Sequence, residues 1–474
     1  MFTYYLTQLR CNLLKTMIST SCTSFRSRQY LTKADLRDQL VGYCTDIEGN
    51  LDYWKRYVNM SRVLARTSNG IILKENCHFV YGGDVCDRGP GDIRVLEDIV
   101  KLKRDNPDNV HIILGNRDIN KMRLLTELLP EFTCKPSRTY WTGDIDDKGE
   151  HNAVNRLKAI LIDTMGAPDT FEHRRQELKD LGRDSSDEAV VQSFWDLLKP
   201  EGLLTEYLKQ GTLAVLLGDT LFLHGGLHSN SLGWIPPSRD LPPGDSGHHV
   251  DNVATWCEQL EAFRAAEMKD FVEFSQWLQL SSGQASERRL PFTSHWSAEG
   301  GYNHPTPGSR LLQYGMGWMP DKSVNPTLVY DNFLSDGAPM PPSSEIASKL
   351  RRNGVRRVIA GHQPHGDAPV VIDSFGLQVR IILVILRMCV SCILICCRLS
   401  PATPLMLITS SGLDRMLPMS IGKESQSCSN NSPIMVIAKW APTRIHVILG
   451  GMLFPRYTYG LASLLLNQLA STVS

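Results

Sequence analysis

Phe79-Val80-Tyr81-Gly82-Gly83-Asp84-Val85-Cys86-Asp87-Arg88-Gly89 is an apolar run that stops at two glycines and an aspartate. Such a run bounded by glycines reads as a buried strand, and the glycines let the backbone turn tightly. Asp84 is then presented at the C-terminal end of that strand, where open α/β sheets bind ligands. Four other stretches repeat the arrangement. Val41, Gly42 and Tyr43 precede Asp46 of DIEGN (46–50); residues 110–114 run into Gly115 and Asn116 of GNRD (115–118). Leu221, Phe222 and Leu223 precede His224 of HGGL (224–227), and Val358, Ile359 and Ala360 precede His362 of GHQPH (361–365). Taken singly, each polar residue has a plainer reading. An aspartate or asparagine after a strand is usually a turn former or helix cap, and a lone histidine is usually a hydrogen-bonded core residue. Five apolar runs, each ending in a turn with a potential ligand, have no simple packing explanation.

Carboxylate, amide and imidazole groups in this mixture suit divalent cations. Two cations about 3.5–4 Å apart can hydrolyse a phosphate ester, acidifying a bridging water and clamping the phosphate oxygens. Such a pair needs a bridging carboxylate, and Asp84 is placed to be one.

The combination of GDxxDRG, GNxD and HGG resembles the calcineurin-like metallophosphoesterases, nearest the branch that contains the protein serine/threonine phosphatases. The likeness runs from Val41 to about Val371, anchored at the motifs and loose between them. It implies an α/β fold: a double β-sheet sandwich flanked by helices, with helical cap insertions. It also implies two divalent ions, Mn or Mg first and Fe or Zn as alternatives. Asp46 and Glu48 would hold the first ion, Asp84 would bridge, and Asn116, His224 and His362 would complete the second. Arg88 would grip the substrate phosphate as a forked donor together with Asn116, and Asp87 would orient its neighbours. A phosphorylated protein is the substrate the resemblance suggests. Small phosphorylated metabolites or dinucleotide polyphosphates are the alternative, and a relative that binds a phosphorylated ligand without turning it over is the rival of another class.

Two departures from the family pattern bear on mechanism. Glu48 stands where the family has a metal-binding histidine, which adds negative charge and favours hard cations. Arg117, followed by Asp118, stands where the family has the histidine that protonates the leaving alcohol. Arginine does not give up its proton, so it cannot be a general acid. Arg117 therefore enters the catalytic set as a charge-stabilising candidate, and Asp118 enters it as the acidic residue beside Arg117. His365 is the candidate for the missing acid or for an extra ligand. The alternative is a leaving group that needs little protonation, as in an aryl phosphate or phosphoanhydride.

Lys plus Arg equals Asp plus Glu at 50 each in 474 residues, so nothing in the charge points to nucleic acid or a membrane surface. The 12 cysteines follow neither zinc nor secreted spacing, which suits an intracellular protein, cytoplasmic or mitochondrial. Residues 1–34 lack acids, carry Arg10, Lys15, Arg26, Arg28 and Lys33, and place Leu6, Leu9, Leu13 and Met17 at helical spacing. That is a leader, either disordered or a transit peptide. The main domain spans 35–380, with insertions at about 119–215 and 228–355 that leave the strand ends and would form a cap. Helical patterns fall at 120–129, 150–165, 171–181 and 253–280. In the last of these Phe263, Phe271, Phe274 and Trp277 read as core. His295, Trp296, His304 and Tyr314 are candidates for the inner surface of the cap, and for any single one of them ordinary packing or a surface position is the plainer reading. The helix at 93–103 is scaffold. From position 374 onward only Asp414 and Glu424 are acidic, against eight basic residues. Residues 381–397 are almost continuously apolar, a weak membrane span because Arg387 sits in the middle. The tail 381–474 reads either as buried strands or as sequence altered by an intron or frame change.

Overall fold

The structure is a computed structural model that describes residues 36, 38–133, 152–237, 247–280, 308–316, 326–335, 338–363 and 369–382. It also describes short strands at 30–31, 138–139, 143–144, 396–398, 434–441 and 444–450. His295, Trp296, His304 and His365 lie outside the described residues, as do residues 1–29 of the leader and 383–395 of the apolar run.

Alternation along the strands decides the architecture. Side chains on a strand point to opposite faces in turn. Val41 and Tyr43, with Val80 and Ile113 from neighbouring strands, form one apolar cluster with Val215, Leu217, Phe222 and Ile359. The alternate residues Phe79, Tyr81, Ile112, Leu221, Leu223 and Val358 belong instead to a larger cluster shared with the helices. Strands buried on both faces read as continuous apolar runs, which is why these motifs stood out in the sequence.

The first four of those residues belong to a five-stranded sheet, ordered Cys396–Arg398, Leu40–Cys44, Cys77–Tyr81, Val110–Ile113, Gly211–Thr212. Its last four strands are parallel, and Cys396–Arg398 runs antiparallel beside Leu40–Cys44. The other four residues belong to an eight-stranded sheet: Tyr30–Leu31, Ala214–Leu217, Thr220–Leu223, Arg357–Ala360, Leu377–Ile381, Val370–Ser374, Ile434–Ala441, Arg444–Gly450. The expected α/β double-sheet sandwich is therefore the observed fold, and Tyr43 stacks on Phe222 across it at 5.9 Å. Tyr30–Leu31, inside the segment read as leader, is the edge strand of the second sheet. Strands from the apolar tail pair with both sheets. Among the described residues no helix is long and apolar enough to cross a membrane.

The scaffold helix Asp92–Asp105 buries Ile93, Leu96, Val100 and Leu102. Its first turn is capped from the first insertion: Ile93 N–H donates to Glu177 at 3.0 Å, and an acidic group at a helix N-terminus is favourable. Glu177 lies on Thr170–Asp180, which docks there with Asp187–Leu198 and Leu203–Gln210. The helical run read at 150–165 is Ala153–Ala159 continued by a π-turn, Ile160–Thr164. In the second insertion Val253–Leu280 is one helix. Phe263, Phe271 and Phe274 are buried, and Trp277 packs against them as core. Tyr314 needs correcting. It is buried at 5.9 Å from Phe263 and 6.1 Å from Trp234, with its hydroxyl accepting from Leu328 N–H, so it packs the core rather than lining a cap.

Candidate metal centre

All five motif loops leave the C-terminal ends of their strands on the same side of the sandwich, and three of them are bent by left-handed backbone angles. Asp46 (φ +50°), Glu48 (+48°), Asp84 (+54°) and His362 (+72°) sit in the left-handed region, which costs roughly 1–2 kcal/mol for a residue other than glycine. Interlocking backbone bonds hold them there. Asp46 N–H donates to Gly83 O at 2.9 Å, Glu48 N–H to Asp84 O at 3.0 Å and Arg88 N–H to Glu48 O at 2.7 Å. The Asp118 carboxylate, fully buried, accepts from the amides of Asp84 (3.0 Å), Val85 (3.0 Å) and Gly115 (2.8 Å) and from the Tyr207 hydroxyl (3.1 Å). It shapes the loops and is spent on them, so it is a positioning group. Gly115 and Gly361 have no room for a side chain: a Cβ would run into the carboxylates of Asp84 and Asp46 respectively.

The two sheets meet through their loops. His224 Nδ1 donates to Gly82 O at 2.7 Å, Gly361 N–H to His224 O at 2.7 Å, and His362 N–H to Asp46 Oδ2 at 3.1 Å. As a result Asp84, His224 and His362 place potential ligand atoms within 4.8 Å of one another. With its Nδ1–H committed to Gly82, His224 aims Nε2 at Asn116 Oδ1 (3.2 Å) and Asp84 Oδ1 (3.5 Å). His362 Nδ1 is buried without a hydrogen-bond partner. Acceptor atoms facing one another need a proton or a cation between them, so this donor set fits a divalent ion. Burial alone would lower His224, but the Asp84 charge outweighs it and lifts the imidazole to about 10. Burial would raise Asp84, yet His224 and Arg117 hold it well below the usual carboxylate range. Burial, then the neighbouring His224 charge, push His362 down to about 3, leaving a neutral imidazole suited to ligation. Tyr330 packs on the His362 ring at 5.0 Å.

The other half of the expected centre differs. Glu48, read as a first-ion ligand, is 2.9 Å from Arg117 Nε and 3.4 Å from Arg88 Nε. Burial pushes its carboxyl up, to about 8, against the pull of the two guanidiniums; at 2.9 Å Arg117 makes the ionised form the better hydrogen-bond partner. Arg117 is buried among three carboxylates: Glu48, Asp84 Oδ2 at 3.7 Å and Asp87 Oδ2 at 3.4 Å. Its Nη1 also donates to Met165 O at 2.9 Å. Asp46 lies beside the His224–His362 cluster with Oδ2 accepting from the Thr45 hydroxyl at 2.5 Å; burial raises its carboxyl to about 6, against the His224 charge. Arg88 is exposed at the rim.

Asp87 is buried and its carboxylate faces the ammonium of Lys121, 2.7 Å from each oxygen. Its carbonyl accepts from Thr170 Oγ1 at 2.5 Å, and Arg174 Nη2 donates to Asp92 at 2.8 Å. The helical insertion is thus keyed to the GGDVCDRG loop through Lys121 and Thr170 and to the start of the following helix through Arg174. Sequence reading missed Lys121, Arg174, Glu177 and Tyr207. The one local sign was Lys121, a charge among Ile119, Met122 and Leu125 and four residues after Arg117, the spacing that shares a helix face.

No protein-family model matches the chain, and no curated protein matches it. Among solved structures it is similar to a mutant cold-active protein tyrosine phosphatase, at 14% identity over 72% of this chain and 70% of that one, with a TM-score of 0.36. It is similar also to the cold-active protein tyrosine phosphatase of the psychrophile Shewanella sp. (12%, 72% and 70%, 0.33). A protein serine/threonine phosphatase from Saccharomyces cerevisiae matches at 14% identity over 75% and 70%, with a TM-score of 0.33.

Proposed function

We propose that this chain is a metal-dependent phosphoesterase whose ion sits among Asp84, Asn116, His224 and His362. One observation carries the reading: side chains from both sheets converge within 4.8 Å, and one of them, His362, keeps a buried ring nitrogen without a hydrogen-bond partner. When bound, a divalent ion there acidifies water and neutralises charge on the transferring phosphoryl group. The chain's own residues do the rest. The Gly82 carbonyl fixes the His224 tautomer, Asp118 fixes the turn that carries Asp84, and Arg88 at the rim offers a guanidinium fork to the phosphate. Arg117 presents a fixed positive charge and no transferable proton. With Arg117 unable to act as an acid, either His365 supplies the proton or the substrate is a phosphate whose leaving group departs with little help, an aryl phosphate or a phosphoanhydride. The first helical insertion, anchored to the motif loop by Thr170 and to the helix after it by Arg174, is the element placed to shape substrate choice.

The locked position of Arg117 favours one second reading, a protein that binds a phosphorylated ligand without hydrolysing it. Purified protein assayed with Mn²⁺ and p-nitrophenyl phosphate separates the two. Turnover that disappears in Asp84→Asn supports the enzyme. Absence of turnover with Mn²⁺, Mg²⁺, Fe²⁺ or Zn²⁺, alongside retained binding of inorganic phosphate, supports the binder.

A further inference from the structure

The two positions where the sequence leaves the family pattern are in contact with each other. Glu48 and Arg117 are 69 positions apart by number and come from different loops, yet their side chains meet at 2.9 Å. We infer that the Arg117 guanidinium occupies the electrostatic place of the first metal ion, so that the centre binds a single divalent cation at Asp84, Asn116, His224 and His362. This rests on the metal-dependent reading above and gives the reason that its centre holds one ion, not the two that the family resemblance implies.

The geometry supports the substitution from three sides. A first ion would draw on Asp46, on the carboxylate of Glu48 and on one oxygen of Asp84. Arg117 Nε already lies 2.9 Å from Glu48 Oε1 and 3.7 Å from Asp84 Oδ2, within reach of two of those three carboxylates. A dication held by them would sit in contact with a buried positive charge, where burial strengthens like-charge repulsion. The guanidinium is also not free to swing aside. Nη1 donates to Met165 O at 2.9 Å, and the same nitrogen is 3.4 Å from Asp87. Arg88 adds a second positive group at 3.4 Å from Glu48, so the carboxylate is claimed twice before any ion arrives. The second-ion set shows the opposite pattern, with His362 Nδ1 lacking a hydrogen-bond partner and His224 Nε2 aimed at two oxygens. Glu48 in place of histidine follows from the same logic: a neutral imidazole would leave the Arg117 charge less well balanced, whereas a carboxylate pairs with it directly.

The chemical consequence is a centre with one exchangeable cation and one permanent one. The permanent charge stabilises negative charge on a phosphate at every metal concentration, and it supplies no bound water.

Metal-stripped full-length protein titrated with Mn²⁺ in a calorimeter, with the electron paramagnetic resonance spectrum recorded at saturation, gives the count without reference to activity. The expected result is one Mn²⁺ per chain and the six-line signal of an isolated ion. The double variant Glu48→His/Arg117→His, checked for an unchanged circular dichroism spectrum, should take up two ions and show the multiline signal of a coupled pair. Two ions on the unaltered protein would overturn the assignment of Arg117 while leaving the metal-dependent reading intact. No ion at all would overturn both. A folded double variant that still binds one ion would show that something other than the guanidinium sets the count. Arg117→Met, which removes the charge with less change of shape, gives an independent check: a second, weaker Mn²⁺ step is expected, and its absence in a folded variant also counts against the assignment.

Discussion

Replacing Lys121 by methionine keeps most of the side chain and removes its charge from the protein interior. The ammonium lies 2.7 Å from both oxygens of Asp87, and the two side chains are 1% and 0% exposed. Burial would depress the lysine, but Asp87 outweighs it and holds the ammonium charged. Without that partner Asp87 is a buried carboxylate whose nearest cation is Arg117 Nη1 at 3.4 Å. Breaking a buried ion pair on one side costs about 3–5 kcal/mol. Because Arg117 remains, the lower end applies, about 3 kcal/mol. With a urea dependence of about 3 kcal/mol per M for a protein of this size, the unfolding midpoint should fall by about 1 M. The double variant Lys121→Met/Asp87→Asn removes the orphaned charge as well and should recover about 2 kcal/mol of that loss. Urea unfolding followed by tryptophan fluorescence reads both. If the single variant loses no more than the double, the orphan-charge reasoning is wrong and the pair is held by packing alone.

The stacked pair His78 and His111, 3.3 Å apart between ring nitrogens, sits at the opposite ends of its strands from the metal centre. Burial pushes His78 down to about 4 and His111 well below its ordinary value. The unfolded chain, with histidines near 6.5, then binds more protons than the folded one. Stability should be full above about pH 6.5 and fall by about 1.4 kcal/mol per pH unit for each histidine as the pH drops toward 4. His78→Gln/His111→Met should flatten the midpoint-against-pH curve between pH 6.5 and 5; an unchanged slope would place the acid sensitivity elsewhere. Gly115→Ala drives a methyl into the Asp84 carboxylate and should weaken Mn²⁺ binding by about tenfold or more, read by titration. Arg88→Lys keeps the charge at an exposed position but loses the fork. It should lower kcat/KM by about tenfold or more while the unfolding midpoint stays put; a matching loss of stability would mean that Arg88 is structural.

Legibility followed the range of the forces involved. Asp84 and Asn116 could be placed at strand ends because an apolar run closing on glycine is a local pattern. Val253–Leu280 could be read as a core helix because its aromatics recur at a local period. Tyr314 stayed open between cap and core for the opposite reason: nothing beside it in the chain announces Trp234 and Phe263, which pack against it. The structural role of Asp118 was hidden too, as were the partners of Asp87, since each is fixed by residues from other loops: three backbone amides and Tyr207 for Asp118, Lys121 and Arg117 for Asp87.

The chain alone determined five strands, their two-faced burial and the ligand-type residue at the end of each, because side-chain alternation and turn chemistry act between near neighbours. Only the packing of two sheets decided that His224 and His362 face Asp84, and that Glu48 answers Arg117. A charge taken out of water must find its opposite among whatever residues the fold brings within reach, and that choice is written in no local stretch of sequence.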